Sequence, residues 1–155
     1  MTHPLLAQRG QRLETELPFP LPAVPGDAVR LTQVFVNLLA NANKYAPPAS
    51  TIRVGGAVEV DTVTLWVEDG GPGLPEEQRG TLFERFVRSP GEEPEESGLG
   101  LGLWIVRSIV ERHGGRVEAG AAVTECGARI SVVLPIDGAG DEATPSAGTL
   151  ATRGR

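Results

Sequence analysis

The sequence predicts an α/β (α+β) two-layer sandwich, in which a mixed sheet of about five strands is covered on one face by about three helices and a loop serves as a lid. Three observations lead there. Residues 27–47 and 98–115 each carry a single apolar stripe at helical spacing. A pair of β-rich runs follows each of these helices, 51–60 with 62–69 and 116–125 with 127–135. Glycine and proline clusters mark the junctions, as connections between packed elements require.

Residues 1–26 read as the lead-in to the same domain. QRLETEL alternates well enough for a short strand over 12–17, and Pro18, Pro20, Pro22 and Pro25 make a stiff connection with room for an extended piece at Ala23 and Val24. In the helix that follows, Leu31, Val34, Phe35, Leu38, Leu39 and Ala42 form the buried stripe. Asp27 is placed to accept from the first unpaired amides, and Pro47 and Pro48 stop the helix. The opposite face carries Gln33, Asn37, Asn41 and Lys44 at i, i+4, i+8 and i+11. Asparagine is a poor helix former, so two of them one turn apart impose a local cost. A solvated polar face and a functional face fit this helix equally well.

TIRVGGAVEV and TVTLWVED form an antiparallel hairpin around Asp61, with Gly55 and Gly56 expected to bulge the first strand. The second strand runs into Asp69-Gly70-Gly71-Pro72-Gly73, where a surface turn is the plain alternative. Three glycines after a carboxylate at a strand end also let backbone approach a ligand closely while the acid is held rigidly. Residues 76–86 are expected to form a short helix with Leu82, Phe83 and Phe86 as its apolar contacts, and SPGEEPEES (89–97) a mobile loop that serves as the lid. Gly98, Gly100 and Gly102 expose successive amides ahead of the helix carried by Leu103, Ile105, Val106, Ile109 and Val110. A glycine turn entering a helix N-terminus suits an anion, although it matches neither a P-loop nor G-x-G-x-x-G. His113 ends this helix before Gly114 and Gly115, a position where a histidine meets the negative end of the dipole in a structural role. Two strands meeting at Gly127 close the core, and 137–155 is expected to be a disordered tail behind the core of 27–136.

Composition narrows the partners. The 155 residues are 40% hydrophobic, enough for one domain, and the formal charge of −6 argues against nucleic acid as the main partner. A phosphate site in such a chain must be local. The single cysteine, Cys126, has no internal disulfide partner, and no apolar run has the length of a membrane span or the look of a signal peptide. The expected setting is the cytoplasm, as a monomer or as the cytoplasmic part of a membrane-anchored parent.

NLLANANKY, VEDGGPG, LFERFVRS and GLGLGLWIV with HGG, in this order and spacing, closely resemble the N, G1, F and G2 boxes of the catalytic ATP-binding domain of two-component sensor histidine kinases. That domain belongs to the wider GHKL group shared with gyrase-type ATPases and Hsp90-type chaperones. The resemblance implies ATP and Mg2+ as cofactors. It implies that Asn41 ligates the metal through a neutral amide oxygen suited to a hard cation, with Asn37 one turn before it facing the phosphates and Lys44 contacting them. Tyr45 would pack on adenine and Asp69 accept from its amino group, with Gly71 and Gly73 as the G1 glycines. Phe83 and Phe86 match the F box, and Arg88 would reach the phosphates from the lid. Gly98, Leu99, Gly100, Leu101, Gly102 and Leu103 would form the phosphate cradle.

Two positions depart from the family pattern: Gly70 stands where Asn is usual, and Ala128 where threonine is usual. Neither His113 nor His3 resembles the phosphoacceptor histidine, which in the family lies on a separate dimerising helical hairpin. The reaction implied is transfer of the γ-phosphoryl of ATP to that histidine, for relay to a response regulator. The alternatives are a GHKL-type module acting as a serine kinase, as an ATPase, or as a regulatory domain without transfer. Asn37 occupies the position where the hydrolytic relatives carry a glutamate.

Overall fold

A computed structural model describes residues 4–18, 20–84, 102–122 and 127–136. The elements in chain order are α1 (Pro4–Gln8), β1 (Arg12–Glu16), α2 (Ala28–Tyr45), β2 (Thr51–Val58), β3 (Thr62–Glu68), α3 (Glu76–Arg79), α4 (Gly102–Arg112), β4 (Arg116–Ala121) and β5 (Ala128–Pro135). The five strands form one sheet in the order β1-β2-β3-β5-β4. β1 and β2 run parallel and every other neighbouring pair antiparallel, which makes the sheet mixed. The parallel pair needs a crossover, and α2 supplies it.

α2 forms where its pattern and caps predict. The Asp27 carboxylate accepts from the Val29 and Arg30 amides at 3.0 and 3.2 Å. Val34, Leu38 and Ala42 are buried, while Leu31, Phe35 and Leu39 lie partly buried against the same core. α4 contributes Val106, Ile109 and Val110, and the sheet answers with Ile52, Val63, Val67, Ile130, Val132 and Leu134. Each such side chain stabilises the fold by roughly 1.5–3 kcal/mol, so this layer dominates the apolar gain. The period-2 alternation sends Val63, Leu65 and Val67 toward the helices and Thr64 and Trp66 to the opposite face of the sheet. α4 ends where the amides of Gly114 and Gly115 return to Glu111 and Val110, with Gly114 at φ +80, a left-handed position that glycine adopts without strain.

Several elements differ from expectation. α1 occupies a stretch with no clear sequence signal, and its Leu6 is 1% exposed beneath α2. Ala23 and Val24 form no strand. Strand β2 has no bulge: its register with β3 runs unbroken from Arg53 opposite Glu68 to Val58 opposite Val63. Gly55 instead makes room for an aromatic ring, since a Cβ there would lie 2.6 Å from the Trp66 indole. The expected helix over 76–86 shrinks to Glu76–Arg79 followed by turns, with Phe83 buried in the core. β4 spans Arg116–Ala121, and 123–125 of the expected run lie outside the described residues. Phe86, the 89–97 loop and the 137–155 tail lie outside the described residues. Among the described residues, no helix is long and apolar enough to cross a membrane.

Candidate functional site

The polar face of α2 divides by partner. Asn37 Nδ2 donates to the Gly102 carbonyl in a long 3.4 Å bond, which ties the middle of α2 to the first turn of α4. Asn41 is half-buried one turn further on, and among the described residues its carboxamide has no hydrogen-bond partner. An amide oxygen in that condition is suited to a hard cation. The Lys44 ammonium sits 5.2 Å from the centroid of the Tyr45 ring, so the last turn of α2 presents a cation and an aromatic side by side.

Asn43 behaves differently. It points away from Asn41 and donates to Gln11 Oε1 at 2.7 Å. Gln11, 3% exposed, donates in return to the carbonyls of Asn43, Ala46 and Pro47 at 3.2, 2.9 and 3.3 Å, and Arg9 reaches the Ala46 carbonyl at 2.8 Å. These are the orphan carbonyls of a helix end, capped here from the α1–β1 connection. The only sequence signal for this separate role is the helical offset of Asn43 from Asn37 and Asn41.

Asp69 follows the last residue of β3 and is 9% exposed. Its backbone N–H donates to the Ala128 carbonyl at 3.0 Å. Its Oδ1 accepts from the amides of Gly71 and Ala128 at 2.8 and 3.3 Å. Burial pushes its carboxyl above the ordinary value of 3.8, the two backbone amides oppose that, and the neighbouring Glu68 carboxylate adds to it. Oδ2 has no partner among the described residues, which leaves a rigid, largely desolvated acceptor open to a ligand donor. Two glycines bring this about by close approach. A Cβ on Gly71 would lie 2.6 Å from the Tyr45 carbonyl oxygen, and one on Gly127 would overlap the Asp69 carbonyl oxygen. The departure at Ala128 therefore costs a hydroxyl but not the hold on Asp69, which uses only the backbone of residue 128. Gly73 takes φ +89 in the same turn, and Gly70 is half-buried beside it.

Beside Asp69 lies an arrangement with no sequence warning. Glu68, 4% exposed at its side chain, pairs with Arg129 at 2.6 Å, and the Arg129 guanidinium stacks 4.2 Å over the Trp66 ring. It braces β3 against β5 on the face away from the helices. At the other wall, Gly102 and Leu103 open α4 as expected. Gly98, Leu99, Gly100, Leu101 and Arg88 lie outside the described residues.

The structure thus joins Asn37 to the start of α4, the Tyr45 carbonyl to the Gly71 turn, and Asp69 to both Gly71 and Ala128. A carboxylate oxygen and a carboxamide without partners among the described residues, a lysine and a helix N-terminus are groups suited to a base carrying an amino group and a phosphate chain.

Comparison with known proteins points the same way. Residues 26–138 match the model of the family described as histidine kinase-, DNA gyrase B-, and HSP90-like ATPase. The signal transduction histidine-protein kinase BaeS of Escherichia coli is 39% identical over 132 residues, which is 84% of this chain and 28% of that protein. The histidine-protein kinase/phosphatase MprB of Mycolicibacterium vanbaalenii is 37% identical over 137 residues, 83% of this chain and 28% of that protein. Among solved structures, a mycobacterial sensor histidine kinase MprB superposes with a TM-score of 0.71 at 34% identity, covering 85% of this chain and 88% of that one. Full-length ShkA in complex with AMPPNP superposes at 0.73 with 29% identity, covering 86% of this chain and 27% of that one. The chain spans less than a third of the length of these curated relatives.

Proposed function

We infer that this chain, which belongs to the histidine kinase-, DNA gyrase B-, and HSP90-like ATPase family, is the ATP-binding catalytic domain of a sensor histidine kinase. It presents the γ-phosphoryl of ATP to a histidine on a dimerising helical hairpin, in the parent chain or in trans. The imidazole nitrogen attacks the γ-phosphorus, the bond to the β,γ-bridging oxygen breaks, and ADP leaves. A response regulator then receives the phosphoryl group from that histidine. Catalysis of this kind is largely positioning and charge stabilisation, so the domain needs no nucleophile of its own.

The observation that carries this reading is Asp69, with one oxygen fixed by two backbone amides and the other without a partner among the described residues. Oδ2 accepts from the adenine amino group. Guanine offers a carbonyl at that place, so two acceptors would face each other and GTP is rejected. Tyr45 packs on the base, with Gly71 and Gly73 letting backbone close over it. Asn41 holds Mg2+, which neutralises phosphate charge, and Asn37 orients the same phosphates. Lys44 adds a point charge. At an effective dielectric near 20, a charge pair 4 Å apart is worth about 4 kcal/mol before desolvation. Gly102 and Leu103, with Gly98, Leu99, Gly100, Leu101 and Arg88 before them, complete the phosphate cradle.

Titration calorimetry with ATP, ADP and GTP, with and without Mg2+, tests the assignment. The adenine nucleotides are expected to bind with a marked gain on adding Mg2+, and GTP is expected to give no heat of binding. Asn41→Ala is expected to abolish the Mg2+-dependent part while the melting temperature stays within a few degrees, because the carboxamide holds no other group among the described residues. Normal MgATP binding by that variant would remove Asn41 from the metal site.

A further inference from the structure

The opposite ends of α2 and α4 meet in a contact that the nucleotide chemistry leaves unexplained. His113 follows α4 and is half-buried against the start of α2. Its Nε2 stands 3.0 Å from the backbone N–H of Asp27, and its Nδ1 stands 2.8 Å from the Ile109 carbonyl. A backbone N–H only donates and a carbonyl only accepts, so these two bonds call for the tautomer with its proton on Nδ1 and Nε2 as acceptor. Gly26 sits flat against the ring, and a Cβ there would overlap His113 Cδ2.

The two helices run antiparallel, with a tie at each end of their overlap. His113 meets Asp27 at one end, and Asn37 meets the Gly102 carbonyl at the other. Ten residues separate Asp27 from Asn37 and eleven separate Gly102 from His113. At ~1.5 Å per residue these spans are about 15 and 16 Å, so the two ties agree on one register. A slide of one residue would part Asn37 and Asn41 from the first turn of α4 by about 1.5 Å. Displacements of that size reduce catalysis about a hundredfold when they fall on positioning groups.

We propose that His113 is a positioning residue for the phosphates of ATP: its latch onto the Asp27 amide sets the register in which the α2 carboxamides and the α4 N-terminus face the same triphosphate. The proposal rests on the nucleotide reading above. It makes one distinction that a general contribution to folding does not. Asp69 and the Gly71 turn follow β3 and are held by Ala128 of β5 and the Tyr45 carbonyl at the end of α2, and none of these lies on α4, so a shift of α4 along α2 spares adenine recognition and disturbs phosphate recognition.

The test compares two amides with the wild-type domain, well below their melting temperatures. In His113→Gln, Oε1 reaches the place of Nε2 and keeps the Asp27 bond. In His113→Asn, Nδ2 can still donate to the Ile109 carbonyl, but the side chain is too short to reach Asp27. MgATP affinity by calorimetry and adenosine affinity by NMR titration are measured for each. His113→Asn is expected to lose about tenfold or more in MgATP affinity with adenosine unchanged, and His113→Gln to stay within about threefold of wild type, in line with the cost of misplaced positioning groups. His113→Ala, which gives up the same bond without straining Gly26 at φ +151, is expected to show the same phosphate-selective loss and serves if His113→Asn does not fold. The proposal fails if His113→Asn binds MgATP like wild type, if it loses MgATP and adenosine alike, or if His113→Gln falls as far as His113→Asn. Absence of MgATP binding by the wild-type domain would instead overturn the nucleotide reading itself.

Discussion

Asp69 is held in a state that costs stability. Its raised carboxyl value means that the folded chain binds the proton more tightly than the unfolded chain does, chiefly because burial disfavours the charge. The contribution to stability is therefore fully present below the ordinary value of 3.8 and is lost as pH rises through the higher folded value. The carboxamide of an Asp69→Asn variant would keep an acceptor for the Gly71 and Ala128 amides without carrying a charge. Its unfolding free energy is expected to match wild type in acid and to exceed it near neutral pH, as read from urea melts at several pH values. The same variant turns an NH2 toward the adenine amino group, so MgATP affinity is expected to drop about ten- to a hundredfold, the equivalent of ~1–3 kcal/mol for a mispaired buried group. A variant that is less stable at neutral pH, or that binds MgATP normally, would contradict this account of the carboxylate.

Helices and strands carry a second kind of dependence, in which one element completes another. The last turn of α2 bears Lys44 and Tyr45, yet its terminal carbonyls are satisfied by Gln11 and Arg9 from the α1–β1 connection. Gln11→Ala takes a buried donor from the carbonyls of Asn43, Ala46 and Pro47, of which Ala46 keeps Arg9 and Pro47 keeps Ser50. The expected loss is about 1–3 kcal/mol of unfolding free energy by urea titration, with weaker MgATP binding as the final turn frays. A loss below about 0.5 kcal/mol would mean that the carbonyls find other partners. The sequence could show α2 because its stripe, cap and proline stop all act within one stretch of chain. It could not show the cap from Gln11, because that bond joins positions 35 apart. Strand β2 illustrates the same limit: Gly55 and Gly56 fit a bulge equally well until Trp66 is known to lie across from Gly55. α1 leaves no trace in the sequence because five residues are too few to display a helical period, although Leu6 anchors it in the core.

At the scale of the whole molecule, contacts join the close of α2 to the turn after β3, that turn to the start of β5, and the middle of α2 to the opening of α4. The N and G1 boxes and the last residue of the G2 box made part of that convergence legible in the sequence, while the start of β5 carried no matching motif. The register between the layers was not legible, because it is set by His113 and Asn37, contacts across 86 and 65 positions of chain. On the proposed reading these segments orient a phosphate chain, but they offer little to activate water. From Ala28 to Tyr45 there is no aspartate or glutamate, and Asn37 carries a carboxamide that cannot take up a proton at neutral pH. The isolated domain is therefore expected to release negligible phosphate from MgATP over hours. Added to a separately purified hairpin that bears a phosphoacceptor histidine, it should instead transfer label from γ-labelled ATP into an acid-labile, base-stable product, as phosphohistidine is and phosphoserine is not. Rapid, metal-dependent phosphate release without the hairpin would place the chain with the hydrolytic members of its family, and an acid-stable product would place it with serine kinases.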